Sequence, residues 1–328
     1  MKTMNLNLKK IITTAVILLF AASFAFAGGD KEEAEFPTKN ITYIIPFNPG
    51  GQSDVTAQYQ KEMLEDALGV SVVIKHVAGA GGAVGWSTLT KADPDGYTLS
   101  GNNIPHIIAQ PLSRDDAGYA TEQLEPLYMF QTTPIGLAVM KDSPYKNLDE
   151  LIAYAKEHPG EITVGGSGTF SGHHLALLLF QKLTGVEFTY IPSTGAAPSV
   201  ANFLGGHTDA LFANSNDLVT HNKEIIILGM GTEERFGLLP DAPTFIEQGV
   251  DMTAGIDRGV CVPQGTPADV VAVLEDAFRK VCTDADFMAK MEEMGMVVQN
   301  KGAAEYKAYI EKMTGIYTET LDELGLLK

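Results

Sequence analysis

The chain is poor in positive charge. Its 328 residues hold 23 lysines and arginines against 41 acidic residues, and the net charge is −18. Nucleic acid and anionic membrane surfaces repel a protein with this balance, so we expect no nucleic-acid partner. An anionic ligand would have to be held by local dipoles, because the overall field opposes its approach.

Cysteine is scarce as well, with only Cys261 and Cys282 in the chain. Cys261 lies in an apolar run, and Cys282 lies near the end of a predicted helix. In an exported protein the two could form a disulfide. We favour two buried, unpaired thiols, because free cysteine packs as a small apolar side chain.

Long apolar runs are missing beyond the N-terminus. Two lysines, an apolar stretch over 11–22 and Ala25-Phe26-Ala27 follow the order of a secretory signal peptide. The apolar stretch is short for a membrane span, although an uncleaved anchor stays open as an alternative. We therefore expect a signal peptide over 1–27, a flexible leader over 28–36, and a periplasmic or other extracytoplasmic location.

Signatures of catalysis and of cofactor binding are also missing. No Gly-Lys-Ser/Thr follows a glycine-rich loop, and residues 79–85 lack the third glycine of the dinucleotide fingerprint. Ser167 has glycine two positions before it but Thr169 two positions after it, so it does not form a nucleophile elbow. His173 and His174 have no further ligand at helical spacing, which disfavours a metal site. We expect no metal, no cofactor and no enzymatic activity.

A glycine-rich turn near the N-terminus is the most informative segment present. Residues 41–47 form an apolar, β-branched run typical of a buried strand. Pro49-Gly50-Gly51 ends it, and Ser53 or Asp54 is expected to cap a helix over 54–68. Such a turn exposes free N–H groups at the positive end of a helix dipole, which favours an anion.

A second turn of the same kind spans 165–172, between a predicted strand over 161–165 and a predicted helix over 173–184. Two such turns in separate parts of the chain predict two lobes facing one ligand, since ligands lie beyond the carboxyl ends of strands. Elsewhere strand and helix patterns also alternate. They predict an α/β fold with mainly parallel sheets, including two extended runs within 124–140 and a last strand over 260–262.

Three further polar groups have two interpretations each. Asp54 either caps the first helix or lines a cleft. Asn102 and its neighbour either donate amide hydrogens to a ligand or form a plain turn. Arg258 either binds a carboxylate or forms an ion pair with Asp257.

Taken together, the chain resembles the substrate-binding proteins of tripartite tricarboxylate transporters, the TctC/Bug family, over essentially all of 36–328. The motifs that carry the resemblance are Ile44-Ile45-Pro46-Phe47-Asn48-Pro49-Gly50-Gly51 with Asp54, and residues 79–85, 93–99, 148–151, 166–172 with His174-Leu175, 205–209, 241–244 and 263–267. The resemblance implies a two-lobed periplasmic binding protein of type II-like fold, each lobe a mainly parallel sheet flanked by helices and hinged by crossover strands. It implies a monomer that captures a small di- or tricarboxylate for a permease of one large and one small membrane subunit.

The resemblance also implies which residues hold the carboxylate, mainly through backbone N–H groups, hydroxyls and bridging waters. The first lobe would contribute Phe47, Asn48, Gly50, Gly51, Gln52, Ser53, Asp54 and Asn102, and the second Gly166, Ser167, Gly168, Thr169, Ser171 and His174, with Thr194, Gly195, Asn214 and Arg258 along the wall. We place lobe one at 37–134 and 259–328 and lobe two at 135–258. The hinge would lie near Thr133 and Asp257.

Three departures from the family pattern bear on the ligand. Ala213 stands where members often have an acidic residue, which removes a partner for an ammonium group and favours plain carboxylates over amino acids. Ser193-Thr194 gives a smaller, hydroxyl-lined wall, and Asp257 replaces an aromatic neighbour of the arginine. Two alternatives stay open: a ligand-sensing partner of a signalling system, and a secreted hydrolase using Ser167 or Ser171 with His174.

Overall fold

The computed structural model describes residues 36–328. The predicted signal peptide over 1–27 and nearly all of the predicted leader over 28–36 lie outside the described residues. Within 36–328, no helix combines the length and the apolar character that crossing a membrane requires.

Strands and helices alternate along most of this part of the chain. The strands are β1 (Ile41–Ile45), β2 (Val72–His76), β3 (Thr98–Ile104), β4 (Leu124–Met140), β5 (Thr163–Ser167), β6 (Thr189–Ser193), β7 (Ala210–Asn214), β8 (Ile225–Met230), β9 (Gly255–Pro263) and β10 (Val297–Gly302). The α-helices are α1 (Gln52–Leu68), α2 (Ala83–Leu89), α3 (His106–Ser113), α4 (Leu148–Glu157), α5 (Gly172–Thr184), α6 (Ala196–Leu204), α7 (Ser215–Thr220), α8 (Ala268–Cys282), α9 (Ala285–Glu293) and α10 (Ala303–Glu323).

The strands form one continuous sheet in the order β2-β1-β3-β9-β4-β7-β5-β6, with β8 and β10 also paired to β4. Residues 124–134 of β4 pair with β9, whereas residues 135–139 pair with β7. We call β1–β3, β9, β10 and residues 124–134 the first half of the sheet, and the remaining strands the second half. β4 belongs to both halves, and β9 begins beside it where the halves meet, since Gly255 pairs with Pro134. We call β4 and β9 the crossing strands.

The predicted α/β class is confirmed, and the sheet is mixed rather than mainly parallel. The pairs β1–β2, β1–β3, β5–β6 and β5–β7 are parallel, as strand–helix–strand units require. The pairs that involve the crossing strands are antiparallel, because β4 and β9 traverse the sheet in opposite directions. The two extended runs predicted within 124–140 are one strand.

The start of the first helix differs from the prediction. Gly51 is the N-cap of α1, so Ser53 and Asp54 lie inside the helix and neither caps it. The Asp54 carboxylate instead reaches back and accepts a hydrogen bond from the Gly50 N–H at 2.8 Å. A capping box is present at Thr244, since Glu247 N donates to Thr244 Oγ1 at 3.0 Å and Thr244 N donates to the Glu247 carboxylate at 2.8 Å.

Each half of the sheet has its own apolar core. Trp86 and Tyr306 are fully buried in the first half, and Phe180, Phe212 and Phe245 form a cluster of rings in the second. Burial of apolar surface on both sides fixes the two ends of β4 in separate apolar clusters. The two cysteines are unpaired and buried, which confirms the favoured interpretation.

Candidate functional site

A small cavity lies where the two halves of the sheet meet, beside the crossing strands. Its volume is about 20 Å³, enough for roughly one water molecule. Both halves contribute to its wall, which is formed by Phe47, Gly51, Gln52, Ser53, Asn103, His106, Ser167, His173, Ala196, Asn214, Ile256 and Arg258.

Four helices of eight residues or more begin at this cavity. Its wall includes Gln52 of α1, His106 of α3, His173 of α5 and Ala196 of α6, each at the first or second helical position. The first N–H groups of a helix have no partner within the helix, and they carry the positive end of its dipole. Four such ends around one cavity make it locally favourable for an anion in an otherwise acidic chain.

Arg258 places a guanidinium in the wall of the cavity. The side chain is buried, with 3% of its surface exposed. Nη1 donates to Thr133 Oγ1 at 2.7 Å and to the Ile256 carbonyl at 3.2 Å, while Nη2 lies 3.5 Å from Asn214 Oδ1. Nε has no partner.

No carboxylate within 36–328 forms an ion pair with this guanidinium. Burial lowers the pKa of Arg258 to about 9, although Asp217 and Asp257 act in the opposite direction. The group is therefore charged at neutral pH. A buried, unpaired charge is costly, and an anion in the cavity would offset that cost.

Asp257 does not pair with its neighbour, contrary to one of the two interpretations of the sequence. Its carboxylate accepts hydrogen bonds from Thr132 Oγ1 at 2.6 Å and from the Tyr309 hydroxyl at 2.7 Å. Successive residues of a strand point to opposite faces, so the two charges lie on opposite sides of β9. Asp257 contributes to a separate groove of about 500 Å³, which we call the rear groove, together with Thr132, Pro134 and Gly255.

A chain of hydrogen bonds fixes the polar wall on the side of the second half. The Ser167 N–H donates to His173 Nδ1 at 3.1 Å, so Nδ1 is unprotonated and Nε2 carries the hydrogen toward Asn214 Oδ1, 3.1 Å away. The amide of Asn214 then donates to Asp217 Oδ2 at 3.2 Å. Each group in the chain has one orientation because its neighbours define it.

Both histidines of the wall are neutral at neutral pH. Burial lowers the pKa of His173 to about 4, and the charge of Arg258 acts in the same direction. Burial, followed by the fields of His173 and Arg258, holds the pKa of His106 well below its usual range. Among the residues that line the cavity, the positive charge therefore belongs to Arg258.

Seven of the residues selected from the sequence line this cavity: Phe47, Gly51, Gln52, Ser53, Ser167, Asn214 and Arg258. Three more lie in contacts between the halves. Asn48 Nδ2 donates to Thr194 Oγ1 at 2.6 Å, and a Cβ on Gly195 would lie 3.6 Å from the Phe47 Cβ.

In the first half, Gly50, Asp54 and Asn102 do not contribute to the wall of the cavity. Gly50 is exposed, and Asp54 binds the Gly50 N–H, Gln58 and His76. Burial alone would raise the pKa of Asp54, but these hydrogen bonds outweigh it and hold the pKa below its usual range. Asn102 accepts from the Tyr306 hydroxyl at 2.7 Å, and its neighbour Asn103 lines the cavity instead.

In the second half, five predicted residues also lie outside the wall. Gly166 packs against Tyr190 and His173, Gly168 packs against Gly81, and Thr169 is exposed. Ser171 is the N-cap of α5, where it accepts from the His174 N–H at 3.2 Å. His174 stacks on the Tyr190 ring at 4.4 Å.

The sequence reasoning missed His106, His173, Ala196 and Ile256, and it named Asn103 only as the neighbour of Asn102. Ile256 could have been found from Arg258, because side chains two residues apart on a strand share one face. His173 stands at the start of the helix predicted over 173–184, so the N-terminal position itself was the available signal. His106 had no such signal, since its helix was not predicted.

Comparison with known proteins agrees with this architecture. The model of the tripartite tricarboxylate transporter family receptor, TctC, matches residues 55–326. Protein BugT of Bordetella pertussis is 31% identical over 274 residues, covering 82% of this chain and 83% of BugT. A UPF0065 protein of the same species is 30% identical over 97% of both chains.

Two solved structures share the fold closely. The periplasmic binding protein BugD is 26% identical with a TM-score of 0.84, covering 89% of this chain and 100% of BugD. An R. palustris protein solved with adipate is 27% identical with a TM-score of 0.84, over 89% of this chain and 99% of that one. Since the family model covers most of the chain, the chain belongs to the TctC family of tripartite tricarboxylate transporter receptors.

Proposed function

We propose that this protein binds a small organic carboxylate between two lobes outside the cytoplasm and delivers it to a membrane permease made of one large and one small subunit. The lobes are those expected from the sequence, 37–134 with 259–328 and 135–258. β4 passes from one half of the sheet to the other, and β9 begins beside it at the junction. This arrangement supports a hinge near Thr133 and Asp257.

One observation carries the proposal: Arg258 is a buried guanidinium without an ion-pair partner in 36–328, in a cavity that four helix N-termini also reach. A carboxylate there would accept charge-assisted hydrogen bonds from the guanidinium and from backbone N–H groups. The chain would thereby gain a partner for a charge that it otherwise buries at a cost.

The lining residues support an acid without an ammonium group. No aspartate or glutamate is among the residues that line the cavity, and Ala213 is an apolar residue beside Asn214. An ammonium group would lose water there without gaining an anionic partner, which is unfavourable. The relative solved with adipate supports a dicarboxylate as the class to test first.

The same geometry argues for binding rather than catalysis. Ser167 Oγ lies 2.8 Å from His173 Nδ1, so a serine and a histidine do meet, although with His173 rather than His174. The third group is the neutral amide of Asn214, and Nδ1 already accepts the Ser167 N–H, which holds the ring against the backbone. Both side chains are buried, and they orient the wall that faces Arg258.

Isothermal titration and thermal unfolding with succinate, adipate, glutamate and glucose test the proposal. At about a hundred times its Kd, a true ligand adds about 2.7 kcal/mol to the free energy of unfolding. We expect this stabilisation from a plain dicarboxylate and not from glutamate or glucose. Stabilisation by glucose alone would refute carboxylate binding, and conversion of any compound, followed by NMR, would establish an enzyme.

A further inference from the structure

Two glycines from opposite halves of the sheet touch each other through their backbones. Gly81 lies in the turn before α2, and Gly168 lies in the turn after β5. A Cβ placed on Gly168 would lie 2.5 Å from the Gly81 Cα, and one placed on Gly81 would lie 3.5 Å from the Gly168 Cα. Real Cβ atoms do not approach a backbone carbon as closely as 2.5 Å, so any side chain at Gly168 separates the turns.

Each of the two turns is fixed within its own half. Gln110 Nε2 donates to the Gly81 carbonyl at 2.9 Å, and Gln110 Oε1 accepts from the Tyr119 hydroxyl at 3.2 Å. On the other side, Gly168 N donates to the Ser193 carbonyl at 2.7 Å, and the Tyr190 hydroxyl donates to the Ser167 carbonyl at 3.0 Å. The contact therefore joins two backbone segments that are each fixed by hydrogen bonds. Neither segment can relieve a clash by changing a side-chain rotamer.

The position of this contact links it to the cavity. Gly168 follows Ser167, which lines the cavity, and Gln110 lies in α3, whose first residue His106 also lines it. The halves also touch through side chains, for example in the exposed hydrogen bond from Asn48 to Thr194, which can adjust. The glycine pair brings backbone against backbone, and it is therefore a rigid limit to how closely the donor groups of the two halves approach.

We propose that Gly81 and Gly168 form a closure stop, a pair of residues that determines the spacing of the two halves and thereby the length of carboxylate that the cavity accepts. The part that concerns the ligand rests on the proposed function. With the stop in contact the cavity is only about 20 Å³, so a short acid fits with little separation of the halves and a longer acid holds them further apart.

The test measures closure directly, without a ligand. Cysteines introduced by Asn48→Cys with Thr194→Cys lie across the interface, and the native Cys261 and Cys282 are buried and fully shielded. We expect Gly168→Ala to slow disulfide formation by at least about fivefold, because closure then requires the clash with the Gly81 backbone to be relieved.

Matched controls separate the clash from backbone strain. Gly168 has φ +43°, and Gly69 and Gly185 both have φ +70° with nothing within 4 Å of an added Cβ. Gly69→Ala and Gly185→Ala therefore impose left-handed strain without a contact between the halves. We expect them to cross-link at the rate of the parent pair. Cross-linking at the parent rate in Gly168→Ala would overturn the stop.

The ligand part is tested by titrating succinate and adipate. In Gly168→Ala the affinity for succinate should fall at least about threefold more than that for adipate, since the shorter acid depends on the closest approach. Equal losses for the two acids would refute the role in selecting length. If the parent protein binds neither acid, the proposed function fails, whereas the cross-linking rates still test the stop.

Discussion

Arg258 and Asp257 are neighbours in β9 and lie in opposite surroundings. Arg258 faces the cavity with no ion-pair partner in 36–328 and with an unpartnered Nε. Asp257 faces the rear groove, where Thr132 and Tyr309 both donate to it. One side of the crossing strands thus holds a charge that needs a ligand, and the other holds a charge that the fold already satisfies.

The threonines of β4 show the same division. Thr133 accepts from Arg258 Nη1 and lies 2.5 Å from Gln52 Nε2, while Thr132 donates to Asp257. Since neighbouring residues of a strand point to opposite faces, a single pair of strands separates a binding surface from a structural one. The comparison therefore predicts that adjacent substitutions will have different consequences.

Replacing Arg258 by methionine should have the largest effect. The affinity for a carboxylate should fall at least about 100-fold, because the ligand would lose its charged partner in a buried site. The free energy of unfolding should stay equal or rise, because methionine removes an uncompensated buried charge at similar volume. Isothermal titration and chemical denaturation measure the two quantities.

Arg258→Lys is the control for this variant. It keeps the charge and loses the planar fork, so its affinity should lie between those of the parent and Arg258→Met. If Arg258→Met bound dicarboxylates at parental affinity, the cavity would not be the carboxylate site.

The adjacent threonines give the next largest contrast. Thr133→Val removes the hydroxyl that holds the guanidinium and should lower carboxylate affinity about tenfold, the worth of one hydrogen bond to a charged group. Thr132→Val should leave the affinity within about twofold and lower the free energy of unfolding by about 1 kcal/mol. Equal binding losses in the two variants would show that the faces are not independent.

Asp257→Asn should have a smaller effect on binding and a clear effect on stability. An amide oxygen replaces a carboxylate that accepts two hydroxyl hydrogens, so the free energy of unfolding should fall by about 1–2 kcal/mol. Affinity should change by less than about threefold, and toward tighter binding, because a negative charge near Arg258 is removed. A large loss of affinity would instead place Asp257 in the binding site.

Much of this fold follows from the sequence because local signals agree with it. In the first half, the β-branched run over 41–47 and the glycines after it specify a strand, a turn and a helix start. The helix α3 was not predicted, because Pro111 lies inside it and weakens the helical pattern. The strand β10 was missed because its residues 299–301 are polar and give no apolar strand pattern.

The candidate site was harder to predict. Which residues line it depends on the face of the strand that each side chain points to, and on contacts between residues far apart in the sequence. An error of one residue in β3 exchanges Asn102 for Asn103, and these two side chains point to opposite faces. Similar glycine-rich turns also serve different purposes. Gly51 lines the cavity, whereas Gly168 meets a glycine 87 positions earlier in the chain, Gly81. No local pattern contains that partner.

The smallest expected effect concerns pH and the origin of the positive charge. His173, with a pKa of about 4, and His106 are neutral above pH 6, and Arg258 is charged. Affinity for succinate or adipate should therefore change by less than about twofold between pH 6 and pH 8. If a histidine supplied the charge, affinity would instead rise steeply as the pH fell, and titration calorimetry would detect this.

Stability should depend on pH where affinity does not. In the unfolded chain histidine takes up a proton near pH 6.5, whereas the folded chain keeps His173 neutral down to about pH 4. Protons then favour the unfolded state as the pH falls through this window. Burial raises the pKa of Asp217 to about 6, which opposes part of this effect below that pH. The free energy of unfolding should fall by at least about 2 kcal/mol from pH 7 to pH 5, because the lowered pKa values of His173, His174 and His106 together outweigh the raised pKa of one carboxylate.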